Sequence, residues 1–213
     1  MKIALINENS QASKNEMIFD CLKTIAEKYG HVAVNFGMFG ADDTHSLTYV
    51  KAGLLAAILL NSKAVDFVVT GCGTGEGAML ALNCFPNVLC GHVVDASDAF
   101  MFRQINDGNA IAMPFAKGFG WGAELNLKQV FESLLSCEGG NGYPKERVVP
   151  EQANKKILDE VKKITHHSMI DILKNIDQDF LKETIDEPFF KQYFFANCKD
   201  KEIEIYLKEL LQK

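Results

Sequence analysis

Arginine is almost missing from this 213-residue chain, which has only Arg103 and Arg147. No block of lysine or arginine compensates, and the net charge is −6. Binding nucleic acid calls for a basic stripe that neutralises phosphates, so that class of partner is excluded. Long apolar runs are also absent. The most apolar stretch, "AGLLAAILL" (Ala52 to Leu60), falls well short of the roughly 20 residues that cross a bilayer, and reads as a buried helix. The opening "MKIALINENS" turns polar by Asn7, too soon for a secretory leader. The six cysteines (Cys21, Cys72, Cys84, Cys90, Cys137, Cys198) form no C-x-x-C pair, which argues against zinc and thioredoxin-like chemistry. They read as free thiols in a reducing cytoplasm, five of them as small buried hydrophobes.

What is present is enough apolar residue, 47%, to bury a core without metal or disulfide. Short apolar runs alternate with amphipathic stretches. "KIALIN", "HVAVNFG", "AVDFVVTG", "NVLCGHVV" and "NAIAMP" read as five strands. Helical spacing fills Asn15 to Tyr29, Tyr49 to Leu60, Ser97 to Gln104 and Trp121 to Leu135. This alternation predicts an α/β Rossmann-like three-layer sandwich around a five-stranded parallel sheet. Ligands of such sheets sit beyond the carboxyl ends of the strands, where we place "INENS", the segment after Phe36, the glycine turn, Asp95 and "INDGN". Residues 1–147 make up this domain. Residues 148–213 form a charged, glycine-poor extension of three or four helices, packed on the core or used in oligomer contacts.

The stretch "VVTGCGTGEGAML" (Val68 to Leu80) concentrates the chemistry. Gly71, Gly73, Gly75 and Gly77 allow a sharp turn that presents backbone N–H groups, and the helix starting near Glu76 favours an anion at its N-terminus. Cys72 stands where a helix start suits a thiolate, Glu76 offers a carboxylate base, and Thr74 a hydroxyl for a substrate oxygen. Gly73, Gly75 and Ala78 also satisfy G-x-G-x-x-A, with Asp95 downstream. That dinucleotide fingerprint normally follows the first strand of its unit, whereas this one follows the third.

Residues 1–147 resemble the ribose-5-phosphate isomerase B and galactose-6-phosphate isomerase family at four landmarks in order. These are "MKIALINENS", "DFVVTGCGTGEGAMLALNCFPNV", "INDGNAIAMP" and "CEGGNGYPKER". The resemblance implies aldose–ketose isomerisation through an enediolate, without metal, nucleotide or other cofactor. It also implies a homodimer or homotetramer with shared active sites. The proton-transfer base falls on Cys72 or on Glu76, and we favour Cys72. Glu8, Asn9, Tyr49, Gly73, Gly75, Gly77, Asn106, Lys145 and Arg147 fall at substrate-binding positions.

Departures from the family pattern bear on the substrate. The family's Asp-His in the opening loop is Glu8-Asn9 here, its closing arginine falls at Asn141, and the histidine before "NDGN" is Ile105. A phosphate dianion wants several charge-assisted donors. Lys145 and Arg147 remain, enough for a carboxylate, which one arginine holds bidentately. Together with the extension, these losses resemble the longer uronate branch, the 4-deoxy-L-threo-5-hexosulose-uronate ketol-isomerases, whose substrate is an open-chain sugar acid. The competing readings are a sugar-phosphate isomerase and a non-catalytic small-molecule or dinucleotide binder. His45 lies where the family places substrate contacts, and His92 lines the pocket or sits satisfied in the core. Trp121 shapes a pocket wall or a subunit contact, and the aromatic "KQYFFANC" is an interface or ordinary packing.

Overall fold

The computed structural model describes residues 1–212. Five strands, β1 (Lys2–Asn7), β2 (Val32–Asn35), β3 (Phe67–Cys72), β4 (Cys90–His92) and β5 (Ala110–Pro114), form one sheet in the order β2-β1-β3-β5-β4. Every pairing is parallel. The chain winds outward in one direction from β1 to β2 and in the other from β3, so the switch point lies between β1 and β3.

One face of the sheet carries α1 (Asn15–Lys28) and α5 (Ala123–Leu135), whose apolar stripes meet Ile3, Leu5, Phe67 and Val69. The other carries α2 (Tyr49–Asn61) and α3 (Glu76–Asn83), against Ala4, Ile6 and Val68. Between the sheet's later strands, α4 (Ala96–Met101) runs into a π-helical turn over Phe102–Asn106. Gly53 lets α2 and α3 cross closely, because a Cβ there would stand 2.8 Å from that of Ala81.

Among the described residues the extension holds five helices, more than its periodicity indicated: α6 (Val148–Thr165), α7 (Met169–Asn175), α8 (Gln178–Ile185), α9 (Pro188–Asn197) and α10 (Lys201–Gln212). The extra breaks come from caps. Ser168, Asp177 and Glu187 each accept a bond from the first turn of a new helix, and Pro188 opens α9. Helices α7 to α10 cover α2, which explains why α2 is apolar all round: the sheet lies on one side and the extension on the other. Phe194 of "KQYFFANC" and Phe190 just before it are fully buried in that shared core, so the motif is internal packing. Each contributes about 2–3 kcal/mol of burial. No helix among the described residues is long and apolar enough to cross a membrane.

The free cysteines divide differently from expectation. Cys21 and Cys90 are buried and Cys72 and Cys198 half-buried, while Cys84 and Cys137 are exposed. Cys84 caps the end of α3 on its outer side, and Cys137 follows α5 in a loop, so neither faces a core. Burial raises the Cys21 thiol and pushes that of Cys90 well above the ordinary range.

Candidate active site

The glycine turn sits at the switch point, on the carboxyl edge of the sheet. Strand β1 pairs Asn7 with Gly71, so the next step of the register sets Glu8 beside Cys72. Alternation along both strands puts these two side chains on the α2/α3 face. Gly71 is required by contact: a Cβ there would lie 2.4 Å from the Met113 carbonyl oxygen.

Beyond Cys72 the backbone is polarised. The carbonyl of Cys72 accepts from Phe115 N at 2.9 Å, and that of Gly73 from Ala116 N at 3.1 Å and Lys117 N at 2.9 Å. Thr74 O takes a bond from His92 Nε2 at 2.8 Å, and Gly75 O one from Met79 N at 3.0 Å. The N–H groups of Gly73, Thr74 and Gly77 have no acceptor among the described residues. Gly75 N donates to Cys72 Sγ at 3.2 Å, and Glu76 N to Thr74 Oγ1 at 3.4 Å. With its carbonyls tied back and three N–H groups free at the start of α3, the turn is a cradle for an anion. Gly75 makes the bend possible, at φ +82°.

The walls come from neighbouring loops. The Tyr49 ring lies over Gly77, 3.5 Å from where a Cβ would stand, and is 46% exposed. Asn9 is exposed and anchored by its backbone to Leu47 O at 2.7 Å. Glu8 is buried, yet no cation among the described residues touches it. Its carboxylate accepts from Ser10 N at 3.0 Å and from the Ser10 hydroxyl. Gln11 Nε2 donates to Ser10 Oγ at 2.9 Å, and Lys14 Nζ donates to Gln11 Oε1 at 2.8 Å and to the Phe115 carbonyl. Lys14 thus balances Glu8 through a side-chain relay.

The structure gathers Glu8, Asn9, Tyr49, Cys72, Gly73, Thr74, Gly75, Glu76 and Gly77 at this edge. Cys72 is half-buried, and Thr74 and Glu76 are exposed, open to an approaching molecule.

Asn106, Lys145 and Arg147 do not join them, and the placement of "INDGN" at the carboxyl edge is overturned. That segment precedes β5, so it lies at the strand's amino end. From Ala110 to Pro114 the strand alone spans roughly 13 Å, and Asn106 lies further back. The closing element sits on the same far edge. Gly140 N donates to Arg103 O and Gly142 N to Gln104 O, each at 3.0 Å, and Gln104 Nε2 donates to Glu138 O at 3.1 Å. Lys145 and Arg147 are exposed there, with no carboxylate partner among the described residues. Asp107, at φ +46°, turns the chain and pairs with Arg103 at 3.2 Å. A hollow of about 340 Å³ lies beside this edge, and three of its four lysines are occupied, Lys155 by Asp159, Lys163 by Glu160 and Lys162 by the Val88 carbonyl.

Other candidates separate cleanly. His45 turns away from the site, its Nε2 2.9 Å from Glu183 O of α8. Asp95 caps α4, accepting from Ser97 N at 2.8 Å and Asp98 N at 3.0 Å, so its carboxylate is taken up by its own helix rather than a ribose. The Ser97 hydroxyl and these N–H groups hold it below the usual carboxylate range. Trp121 is fully exposed on the loop after β5. Sequence reasoning missed Lys14 and the Ser10–Gln11 relay, and left His92 undecided.

A family model described as ribose/galactose isomerase matches residues 3–142. The chain belongs to the ribose/galactose isomerase family. A second model, described as ribose-5-phosphate isomerase, matches residues 164–210 within the extension. Among solved structures, a 4-deoxy-L-threo-5-hexosulose-uronate ketol-isomerase complexed with a tartrate is 59% identical. It covers 100% of each chain, with TM-score 0.98. A ribose-5-phosphate isomerase from Vibrio parahaemolyticus is 50% identical over 99% of each chain, with TM-score 0.96. A type B ribose 5-phosphate isomerase from Trypanosoma cruzi shares the fold at 20% identity, covering 76% of this chain and 99% of its own, with TM-score 0.63. The two long relatives match the extension as well as the α/β part.

Proposed function

We propose that this family member is an aldose–ketose isomerase that converts 4-deoxy-L-threo-5-hexosulose-uronate to 3-deoxy-D-glycero-2,5-hexodiulosonate, in the breakdown of unsaturated uronates. The observation that carries the chemistry is the polarity of the glycine turn, three free N–H groups next to a half-buried thiol. Cys72 takes the proton from C2 of the open-chain aldehyde. The electron pair moves onto the carbonyl oxygen, and the resulting cis-enediolate is held by the N–H groups of Gly73, Thr74 and Gly77. Return of the proton to C1 gives the ketose. Thr74 and Glu76, exposed at the same turn, handle the hydroxyl protons, and Tyr49 bounds the sugar chain. Glu8 and Asn9 contact the substrate hydroxyls from the segment that follows β1.

The substrate carboxylate needs a cation, and Lys145 and Arg147 stand on the far edge of the same chain. A second copy resolves this: its Asn106, Lys145 and Arg147 complete the crevice, so the working unit is at least a homodimer. Residues 1–147 carry the chemistry, and residues 148–213 brace it. The uronate is supported by the 59% identical ketol-isomerase and by the scarcity of arginine. A second reading, a sugar-phosphate isomerase, is favoured by the 50% identical relative described as a ribose-5-phosphate isomerase.

One assay separates the readings. The purified protein is offered the 4-deoxy-5-ketouronate, ribose 5-phosphate and galactose 6-phosphate in deuterated water, and products are followed by NMR. Turnover of the uronate with deuterium at C1 is expected. Turnover of the phosphates alone sinks the uronate assignment, and absence of exchange with all three sinks the enzyme.

A further inference from the structure

His92 reaches the glycine turn from the end of β4. Its Nε2 lies 2.8 Å from Thr74 O. A carbonyl oxygen only accepts, so Nε2 carries the ring proton. That carbonyl shares one peptide unit with the Gly75 N–H, which donates to Cys72 Sγ at 3.2 Å. In a trans peptide the C=O and N–H point in opposite directions. A donor bound at the oxygen therefore fixes the plane of the N–H and polarises it toward its own acceptor.

The fit of the ring is close. A Cβ on Gly75 would stand 2.8 Å from His92 Nε2 and Cδ2, so the imidazole fills the space a side chain would take. The two preceding carbonyls are held by backbone donors, from Phe115, Ala116 and Lys117. Thr74 O is held by a side chain, and it belongs to the peptide that meets the sulfur.

The geometry points to His92 as a positioning residue that acts on Cys72 through a single peptide bond. By holding the Thr74 carbonyl, it aims the Gly75 N–H at the sulfur and strengthens it as a donor to the thiolate. The effect on turnover rests on Cys72 being the proton-transfer group, whereas the effect on the thiol does not.

The test uses the full chain with two substitutions. His92→Gln keeps a side-chain N–H donor, and His92→Leu keeps comparable bulk without one. Iodoacetamide modification near neutral pH is read peptide by peptide, with exposed Cys84 and Cys137 as internal references. Urea midpoints establish that both variants are folded. His92→Leu is expected to slow modification of Cys72 roughly three- to tenfold relative to the references, the loss of much of one hydrogen bond to a charged group. It should lower kcat while KM changes little, and His92→Gln should recover most of both.

The inference is overturned if Cys72 reacts equally fast in His92→Leu, or if the two variants behave alike. Should the thiol respond while kcat stays constant, the inference holds and Cys72 is not the base. Should Cys72→Ala abolish turnover while the thiol ignores His92, the base assignment holds and the inference falls.

Discussion

Gly73 and Gly75 are two residues apart on one turn, and alanine should affect them in opposite ways. At Gly75 the backbone has φ +82°, where an L side chain costs about 1–2 kcal/mol. The added methyl would also stand 2.8 Å from the Met113 carbonyl carbon, a backbone atom of β5 that cannot move aside, and 2.8 Å from the His92 ring. Pushing His92 away forfeits its bond to Thr74, about 1 kcal/mol more. With the clash against Met113 adding up to about 1 kcal/mol, Gly75→Ala should therefore lose about 2–4 kcal/mol in all. At Gly73 the nearest atom to a new methyl is the Ala116 Cβ at 3.9 Å, and φ lies outside the left-handed region. Alanine there restricts the unfolded chain and should raise stability by up to about 1 kcal/mol. With a urea slope of about 2 kcal/mol/M, the Gly75→Ala midpoint falls by about 1–2 M and that of Gly73→Ala does not fall. Urea titration followed by circular dichroism reads both. Coincident midpoints for the two variants would refute the backbone geometry assigned to the turn. Function should divide differently, because the Gly73 N–H belongs to the anion cradle: Gly73→Ala should stay folded while its KM rises.

The base assignment is tested by Cys72→Ala and Glu76→Gln, of which the true base should lose at least roughly a hundredfold in kcat. If neither variant does, the proton-transfer step is wrongly placed. Arg147→Ala should raise KM more than it lowers kcat if the side chain only anchors the substrate's acid group. Because Arg147 and Cys72 occupy opposite edges of one chain, mixing Arg147→Ala with Cys72→Ala should restore activity, measured below KM, that neither variant shows alone. No gain after subunit exchange would mean that the crevice is not shared between copies. Thiol titration of the native protein should register Cys84 and Cys137 quickly, with Cys21 and Cys90 reacting only on unfolding, because burial raises the latter pair. Fast reaction of Cys90 would contradict the packing of β4.

All five strands were legible, β1 to the residue and the others to within three residues at each end, because a sheet covered on both faces writes itself as short unbroken apolar runs such as Phe67–Val69. The turn was legible because glycine spacing and the onset of α3 are both local. The break in the helix at Phe102 was not. It depends on Phe102 wedging against Gly91 and Gly108, whose missing side chains leave room for the ring, 2.6 Å and 2.2 Å from where each Cβ would stand. Those glycines lie outside the helix, so its periodicity carries no trace of them. The relay from Glu8 to Lys14 and the approach of His92 are likewise contacts of geometry, made by polar residues that look ordinary in sequence. The misplacement of "INDGN" was avoidable. A segment that precedes a parallel strand must lie at its amino end, opposite the turn that follows β3. Strand order alone therefore indicates that one chain cannot bring Asn106 to Cys72.

The extension bears on the same crevice through the loop between β2 and α2. Phe189 of α9 meets Phe36 and Phe39 edge-on, with ring centroids 5.6 and 6.3 Å apart, and Tyr193 meets Phe36 at 5.2 Å. From α8, Glu183 takes His45 on its carbonyl and Lys51 on its carboxylate at 2.8 Å. The loop so held is bonded in turn to the end of β1: Asn9 N donates to Leu47 O and Met38 N to Asn7 O. Glu8 lies between those two bonds. The path from α9 to the Glu8 backbone is therefore continuous packing and hydrogen bonding, with a side chain or a strand end at every step. Without the extension, Phe36 and α2 would face water, and the loop that fixes Asn7 and Asn9 would lose its outer support. A short open-chain acid offers few groups to grip, and a crevice that binds it gains most when its walls are already in place before binding. Holding those walls from behind is work that the four helices α7 to α10, remote from the chemistry, can do.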